Sequence, residues 1–112
     1  MDFDNNKAIY LQIADGICER VLSGQLQVDG RIASVREWGA SIGVNPNTVA
    51  RSYEVLTEMG VIYQKRGIGF FVAPDAKQKI ISAQIKQFVE SEVPAFVKRA
   101  ELLGVDLKEL IK

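Results

Sequence analysis

Gly43–Gly60, GVNPNTVARSYEVLTEMG, is the stretch whose reading decides the fold. Proline in a helix interior removes a hydrogen bond and clashes with the preceding turn, but at the first helical position its missing N–H costs nothing and its φ already suits the helix. Asn45, directly before Pro46, is a preferred N-cap because its side-chain oxygen can accept from a first-turn N–H that has no other partner. Together they predict that a helix starts at Pro46. Val49, Tyr53 and Leu56 recur at helical spacing as a buried stripe, and Gly60 is placed to end the helix. With those three turned inward, Asn47, Thr48 and Arg51 share an outward face near the helix N-terminus.

Upstream, Ser34 stands three residues before Glu37, the capping-box spacing in which hydroxyl and carboxylate each satisfy a backbone N–H. A short helix is therefore expected from about Val35 to Ile42, ended by Gly43. Further upstream, Ile9, Ile13, Ile17 and Val21 recur every four positions, the pattern of an amphipathic helix from Ala8 to Ser23 closed by Gly24. Cys18 lies beside this stripe and reads as a packing residue, as does Trp38 in the second helix.

Downstream, two β-rich runs, VIYQK and FFVA, are joined by RGIG, whose glycines can adopt the positive φ of a tight turn. A two-stranded ribbon with a basic tip, Lys65 and Arg66, is expected. Pro74 and Asp75 mark a boundary, after which Ile81, Ile85, Val89, Val93, Phe96, Ala100 and Leu103 lie on one helical stripe. The stripe keeps its phase across Pro94, which favours one kinked helix over two separate ones although an interior proline costs ~3 kcal/mol. Gly104 ends that segment, and Asp106 with Glu109 caps a last short helix carrying Leu107, Leu110 and Ile111. The expected fold class is mainly α with a small β-hairpin.

Composition narrows the function by exclusion. A chain of 112 residues, 47% of them hydrophobic, has room for one domain of roughly 70 residues and an appendage. Fourteen basic and fourteen acidic residues leave no net field, so overall charge selects no partner. One cysteine excludes an internal disulfide, and the start MDFDNNKAIY lacks the basic flank and apolar run of a secretory leader; a cytoplasmic location is expected. No apolar segment approaches the ~20 residues of a membrane helix, so no direct membrane partner is expected. With no histidine, no cysteine cluster and no phosphate-binding loop, the sequence offers no catalytic constellation, metal site or cofactor. The chain does not read as an enzyme.

The order helix, helix, short turn, helix, hairpin is that of a winged helix-turn-helix, with the third helix as recognition element and the hairpin as wing. The polar first turn then has a target. Asparagine can bond adenine bidentately, threonine offers a hydroxyl and a methyl, and arginine suits guanine or phosphate. The helix N-terminus itself attracts phosphate.

The run ASVREWGASIGVNPNTVARSYEVLTEMGVIYQKRGIGFFV, with IYLQIADGI ahead of it, closely resembles the DNA-binding domain of the GntR family of bacterial transcription regulators. The match covers about Ala8 to Ala73, and the tail containing FVKRAELLGVDLKELI resembles the small YtrA-type subgroup, which dimerises through two C-terminal helices without a large effector domain. This implies a winged helix-turn-helix DNA-binding domain over residues 1–74 and a helical dimerisation segment over residues 75–112. It places Ser34 and Arg36 against the DNA backbone or a nearby base, and makes Asn45, Asn47, Thr48 and Arg51 the recognition-helix contacts. Gly67 and Gly69 form the wing turn that approaches the minor groove or adjacent phosphates, with Lys65 and Arg66 supplying charge. Ile81, Ile85, Phe88, Val89, Phe96 and Leu103 are the expected dimer contacts. Many family members carry proline at the place of Ala33 and arginine at the places of Pro46 and Ala50, so two frequent arginine contacts are absent, although proline at 46 also occurs in YtrA-type chains. Ile68 stands where a polar or basic wing residue is common. The implied function is a homodimeric repressor of an inverted-repeat operator on double-stranded DNA, with control of an ABC transporter operon suggested by the subgroup and no effector identified. A winged-helix module that binds protein rather than DNA is the alternative that the missing arginines keep open.

Overall fold

A computed structural model describes residues 6–111; residues 1–5, which carry the start of the expected leaderless N-terminus, and residue 112 lie outside the described residues. Helix α1, Ile9–Leu22, buries Ile13, Ile17 and Val21 as the four-residue spacing requires, with Ala14 and Cys18 beside them. Ile9 is 45% exposed, so the buried stripe begins one turn later than its periodicity predicts. Gly24, at φ 84°, turns the chain out of the helix.

The two-stranded ribbon expected from sequence is a three-stranded antiparallel sheet. Arg31–Ile32 form β1, Ile62–Lys65 form β2 and Gly69–Val72 form β3, in the spatial order β1-β3-β2. Arg31 faces Phe71 and Ile32 faces Phe70, while Tyr63 and Gln64 pair with the same two residues from the other side. Bonds from Asp29 N–H to the Val72 carbonyl and from Val72 N–H to the Gly30 carbonyl, 2.8 and 3.0 Å, lengthen the β1 edge. A strand of two residues has no periodicity to read, so its existence rests on a partner nearly forty positions later.

Helix α2, Val35–Ile42, opens with the complete capping box: Glu37 N–H donates to Ser34 Oγ and Ser34 N–H donates to Glu37 Oε1, both at 3.1 Å. Gly43, at φ 71°, ends it, and α3, Pro46–Glu58, begins after Asn45, whose Oδ1 accepts from Asn47 N–H at 2.8 Å. Buried Gly39 lets the two helices approach: a Cβ there would lie 2.6 Å from the Val44 carbonyl oxygen.

The core gathers Ile13, Ile17 and Val21 of α1, Val49, Tyr53 and Leu56 of α3, and Ile32, Ile62 and Val72 of the sheet. Tyr53 is held at both ends, its hydroxyl donating to the Ala33 carbonyl at 2.7 Å and its ring meeting Phe70 edge-on at 5.0 Å. Trp38 is buried, as expected of a packing residue, with the Arg20 guanidinium 4.8 Å above its ring. Helix α4, Ala76–Gln87, contributes Ala76 and Ile80 to this core.

The chain divides into two compact units, the first ending at Ile80 and the second beginning at Ile81. In the second unit α4 passes through a π-helical turn, Phe88–Glu92, into α5, Val93–Leu103. Pro94 has no N–H to donate and its ring crowds the preceding turn; the wide turn, in which Val93 N–H reaches back to the Phe88 carbonyl, carries the helix past it unbroken. Gly104, at φ 71°, then reverses the chain into α6, Leu107–Leu110, capped by Asp106 through Lys108 N–H at 3.0 Å. Ala100 is buried, and with Phe96, Leu103 and Leu107 it lines an apolar hollow of about 220 Å³. Ile81, Ile85, Val89, Phe96 and Leu103 of the stripe, and Phe88 beside it, are open, between 47% and 65% exposed. Among the described residues no helix is long and apolar enough to cross a membrane.

Candidate nucleic-acid interface

The heads of α2 and α3 meet at an open hollow of about 640 Å³, lined by Val35, Arg36, Asn45, Pro46, Asn47 and Ala50. The helix-turn-helix thus brings together the first turns of α2 and α3. Thr48 and Arg51 sit on the flank of α3 outside that lining, so the outward face is broader than helical spacing alone suggests. Among the described residues, the side chains of Arg36, Asn47, Thr48 and Arg66 make no hydrogen bond or ion pair. Their hydrogen-bonding groups are open to an external partner.

Two of the expected contacts also have structural duties. Ser34 Oγ accepts from Glu37 N–H as the cap of α2. Asn45 spends Oδ1 on the cap and keeps its amide N–H groups. The capping bonds from the Ser34 backbone and side chain, together with the charge of Arg31, hold the Glu37 carboxyl below its ordinary range. Among the described residues Arg36 and Arg51 have no acidic partner: the ion pairs there are Lys7–Asp15 and Lys79–Asp75.

At the wing, Gly67 (φ 78°) and Gly69 (φ 146°) take backbone conformations that side chains oppose, and Ile68 N–H closes the turn on the Lys65 carbonyl at 2.9 Å. Arg66 is exposed at the tip beside Ile68, itself 60% exposed. Lys65 is less of a tip residue than the sequence suggests: its Nζ lies 4.7 Å over the Phe71 ring, on the outer face of the sheet, where Phe71 stacks on Tyr63. The Tyr63 hydroxyl donates to Asp29 Oδ1 at 3.1 Å.

Sequence reasoning missed two residues of this surface. Arg31, delivered by β1, lies against the wing root, its Nε 3.0 Å from where a Gly69 Cβ would stand. Tyr10 lies under Arg51, whose guanidinium carbon is 4.2 Å from the ring centroid. No local signal announces either, because both depend on chain segments that meet only in the fold.

Chemically, the surface can hydrogen-bond and attract anions. Among the described residues no group of side chains could hold a metal ion. Cys18 is buried, and desolvation, reinforced by Asp15 and Glu19, pushes its thiol up to about 11, far from a reactive thiolate.

A helix-turn-helix that presents an unpartnered polar first turn beside a glycine-turned wing defines a winged-helix, DNA-binding transcription regulator. The profile of the bacterial regulatory proteins of the gntR family matches residues 9–72, and the chain belongs to that family. It is similar to YhcF of Bacillus subtilis strain 168, an uncharacterised HTH-type transcriptional regulator, with 36% identity over 111 residues, covering 98% of this chain and 89% of YhcF. It is also similar to the HTH-type transcriptional repressor YtrA of the same strain, with 29% identity over 110 residues, covering 98% of this chain and 84% of YtrA. Among solved structures, a GntR-family chain from Bacteroides thetaiotaomicron superposes with a TM-score of 0.80 at 52% identity, covering 92% of this chain and 89% of that one.

Proposed function

We propose that this GntR-family regulator is a cytoplasmic homodimeric repressor that binds an inverted-repeat operator, reading it with Asn45, Asn47, Thr48 and Arg51. Arg36 and Ser34 hold the neighbouring backbone, while Lys65, Arg66, Gly67 and Gly69 bring the wing onto flanking phosphates. The observation that carries this reading is the hollow where Arg36, Asn45 and Asn47 converge with groups free of internal partners. Repression is taken from the likeness to the repressor YtrA, and control of an ABC transporter operon from the resemblance of the tail to the YtrA-type subgroup.

Dimerisation through Ile81, Ile85, Phe88, Val89, Phe96 and Leu103 follows from their exposure, since contiguous apolar surface of this kind is unfavourable in water. A two-fold dimer sets its recognition helices ~34 Å, or a multiple, apart along the duplex, which is the reason for an inverted repeat. Selecting binding sites from a pool of random duplexes, then footprinting the promoter of the protein's own gene, tests both claims. Enrichment of a palindrome protected on both half-sites is expected. Recovery of no consensus sequence would instead favour the protein-binding module.

A further inference from the structure

The first turn of α1 is fastened to α3 at two points. Ser52, fully buried on α3, donates its hydroxyl to the Tyr10 carbonyl at 2.7 Å, with the Thr48 carbonyl at 3.3 Å. One residue earlier on α3, Arg51 extends over the Tyr10 ring at 4.2 Å. The first contact fixes the backbone of Tyr10 relative to α3, and the second uses that fixed ring as a seat for an otherwise flexible side chain.

The seat suits recognition because of guanidinium geometry. Stacking uses the face of the planar cation, whereas all of its N–H donors lie along the edge. With its guanidinium carbon 4.2 Å from the Tyr10 centroid, Arg51 is close enough for the cation to lie face-on, an arrangement that keeps the hydrogen-bonding fork while removing rotational freedom before DNA arrives. Arginine is among the side chains with most rotamer entropy to lose on ordering, so ordering it in the free protein lowers the cost of binding. No carboxylate among the described residues pairs with Arg51 and competes for the fork.

We propose that Tyr10 is a positioning residue for DNA recognition: a ring on α1, outside the helix-turn-helix, orients the Arg51 guanidinium toward the operator. This rests on the reading of Arg51 as a DNA contact, and the experiment separates the two.

Full-length wild type, Tyr10→Phe, Tyr10→Leu, Arg51→Ala and the Tyr10→Leu/Arg51→Ala double variant are titrated by fluorescence anisotropy. The probes are a duplex selected from a random pool by the wild-type protein and a scrambled duplex of the same composition. A sixth protein carries pentafluorophenylalanine at position 10, which keeps a ring of similar shape and removes the electron density from its face. Arg51→Ala weakens binding to the selected duplex. Tyr10→Leu and the fluorinated ring weaken it about twofold to fivefold, the size of an exposed cation–π contact. Tyr10→Phe binds like wild type, and Tyr10→Leu adds nothing once Arg51 is alanine. If Arg51→Ala matters but the fluorinated ring and Tyr10→Leu bind like wild type, Tyr10 does not position it. If Tyr10→Leu weakens the Arg51→Ala background as much as the wild type, its role is structural and the proposal is wrong. If Arg51→Ala itself changes nothing, the DNA contact at Arg51 fails and the role of Tyr10 falls with it.

Discussion

Asn47, in the capped first turn of α3, carries both a side-chain donor and a side-chain acceptor, and neither is used within the described residues. Because Pro46 occupies a place where many family members carry arginine, the proposed recognition leans on a neutral amide, which would supply base discrimination and little phosphate attraction. Asn47→Ala should therefore cost affinity for the selected duplex while leaving the scrambled duplex nearly unchanged; equal losses in an anisotropy titration on both would contradict this. Cys18 gives a prediction of the opposite kind, about stability alone. Its thiol is raised from 9.0 to about 11 by burial first and by Asp15 and Glu19 after it. A raised acid means that the unfolded chain releases its proton first, so this contribution is fully present below pH 9 and is lost as pH climbs through 11. Tyr53, raised above its usual 10.0 by burial and the charge of Glu37, adds to the alkaline loss. Urea titrations across that window should show stability falling with pH, and less steeply in Cys18→Ala. An unchanged slope in that variant would refute the assignment.

Between elements, the closest tolerance is the approach of α2 to the turn before α3. A methyl at Gly39 would meet the Val44 carbonyl oxygen at 2.6 Å, so the helices must part or the turn must move. Gly39→Ala should cost about 1–3 kcal/mol, the range for overpacking a filled site. Gly24→Ala, with open space around its Cβ but a φ of 84°, should cost only about 1 kcal/mol. Thermal melts that ranked the two the other way would dispute this packing argument. The same elements show which features local sequence can reveal. Asn45-Pro46 and Ser34…Glu37 announce helix starts because a cap is chemistry between residues two or three apart, and both caps form with the bonds that spacing implies. The stripes of α1 and α3 are legible for a similar reason, since one helix face repeats within a few positions. Strand β1 is not, because Arg31 and Ile32 are too short a run to carry a pattern and become a strand only against Phe70 and Phe71. The turn that accommodates Pro94 is half legible: continuity of the stripe indicates an unbroken helix, but nothing in the residues specifies the π geometry that makes it possible. Arg31 at the wing root and Tyr10 beneath Arg51 escape for the same reason as β1.

At the scale of the whole molecule, the two compact units have different balances of burial. The first closes its own core, whereas the second leaves Ile85, Phe88, Val89 and Phe96 more than half exposed. A second copy is the partner proposed to cover them. Sedimentation equilibrium should find a dimer, and Phe96→Asp should shift it toward monomer while the melting of the first unit is retained; an unaltered dimer would locate the interface elsewhere. Loss of the dimer should also weaken operator binding far more than binding to an isolated half-site, because the second recognition helix no longer binds as part of the same molecule. Net charge is zero, so the long-range attraction to DNA that a basic protein enjoys is missing, and in the proposed reading affinity comes from the local surface at the heads of α2 and α3 and at the wing. That places the central claim on one titration: anisotropy of the wild-type protein on the selected palindrome and on its scrambled counterpart, repeated from low to high salt. The account predicts that the palindrome binds at least ~1,000-fold more tightly, the lower end for specific DNA readers, and that both affinities fall as salt rises while the preference persists. Equal affinity for the two duplexes, or binding indifferent to salt, would contradict it.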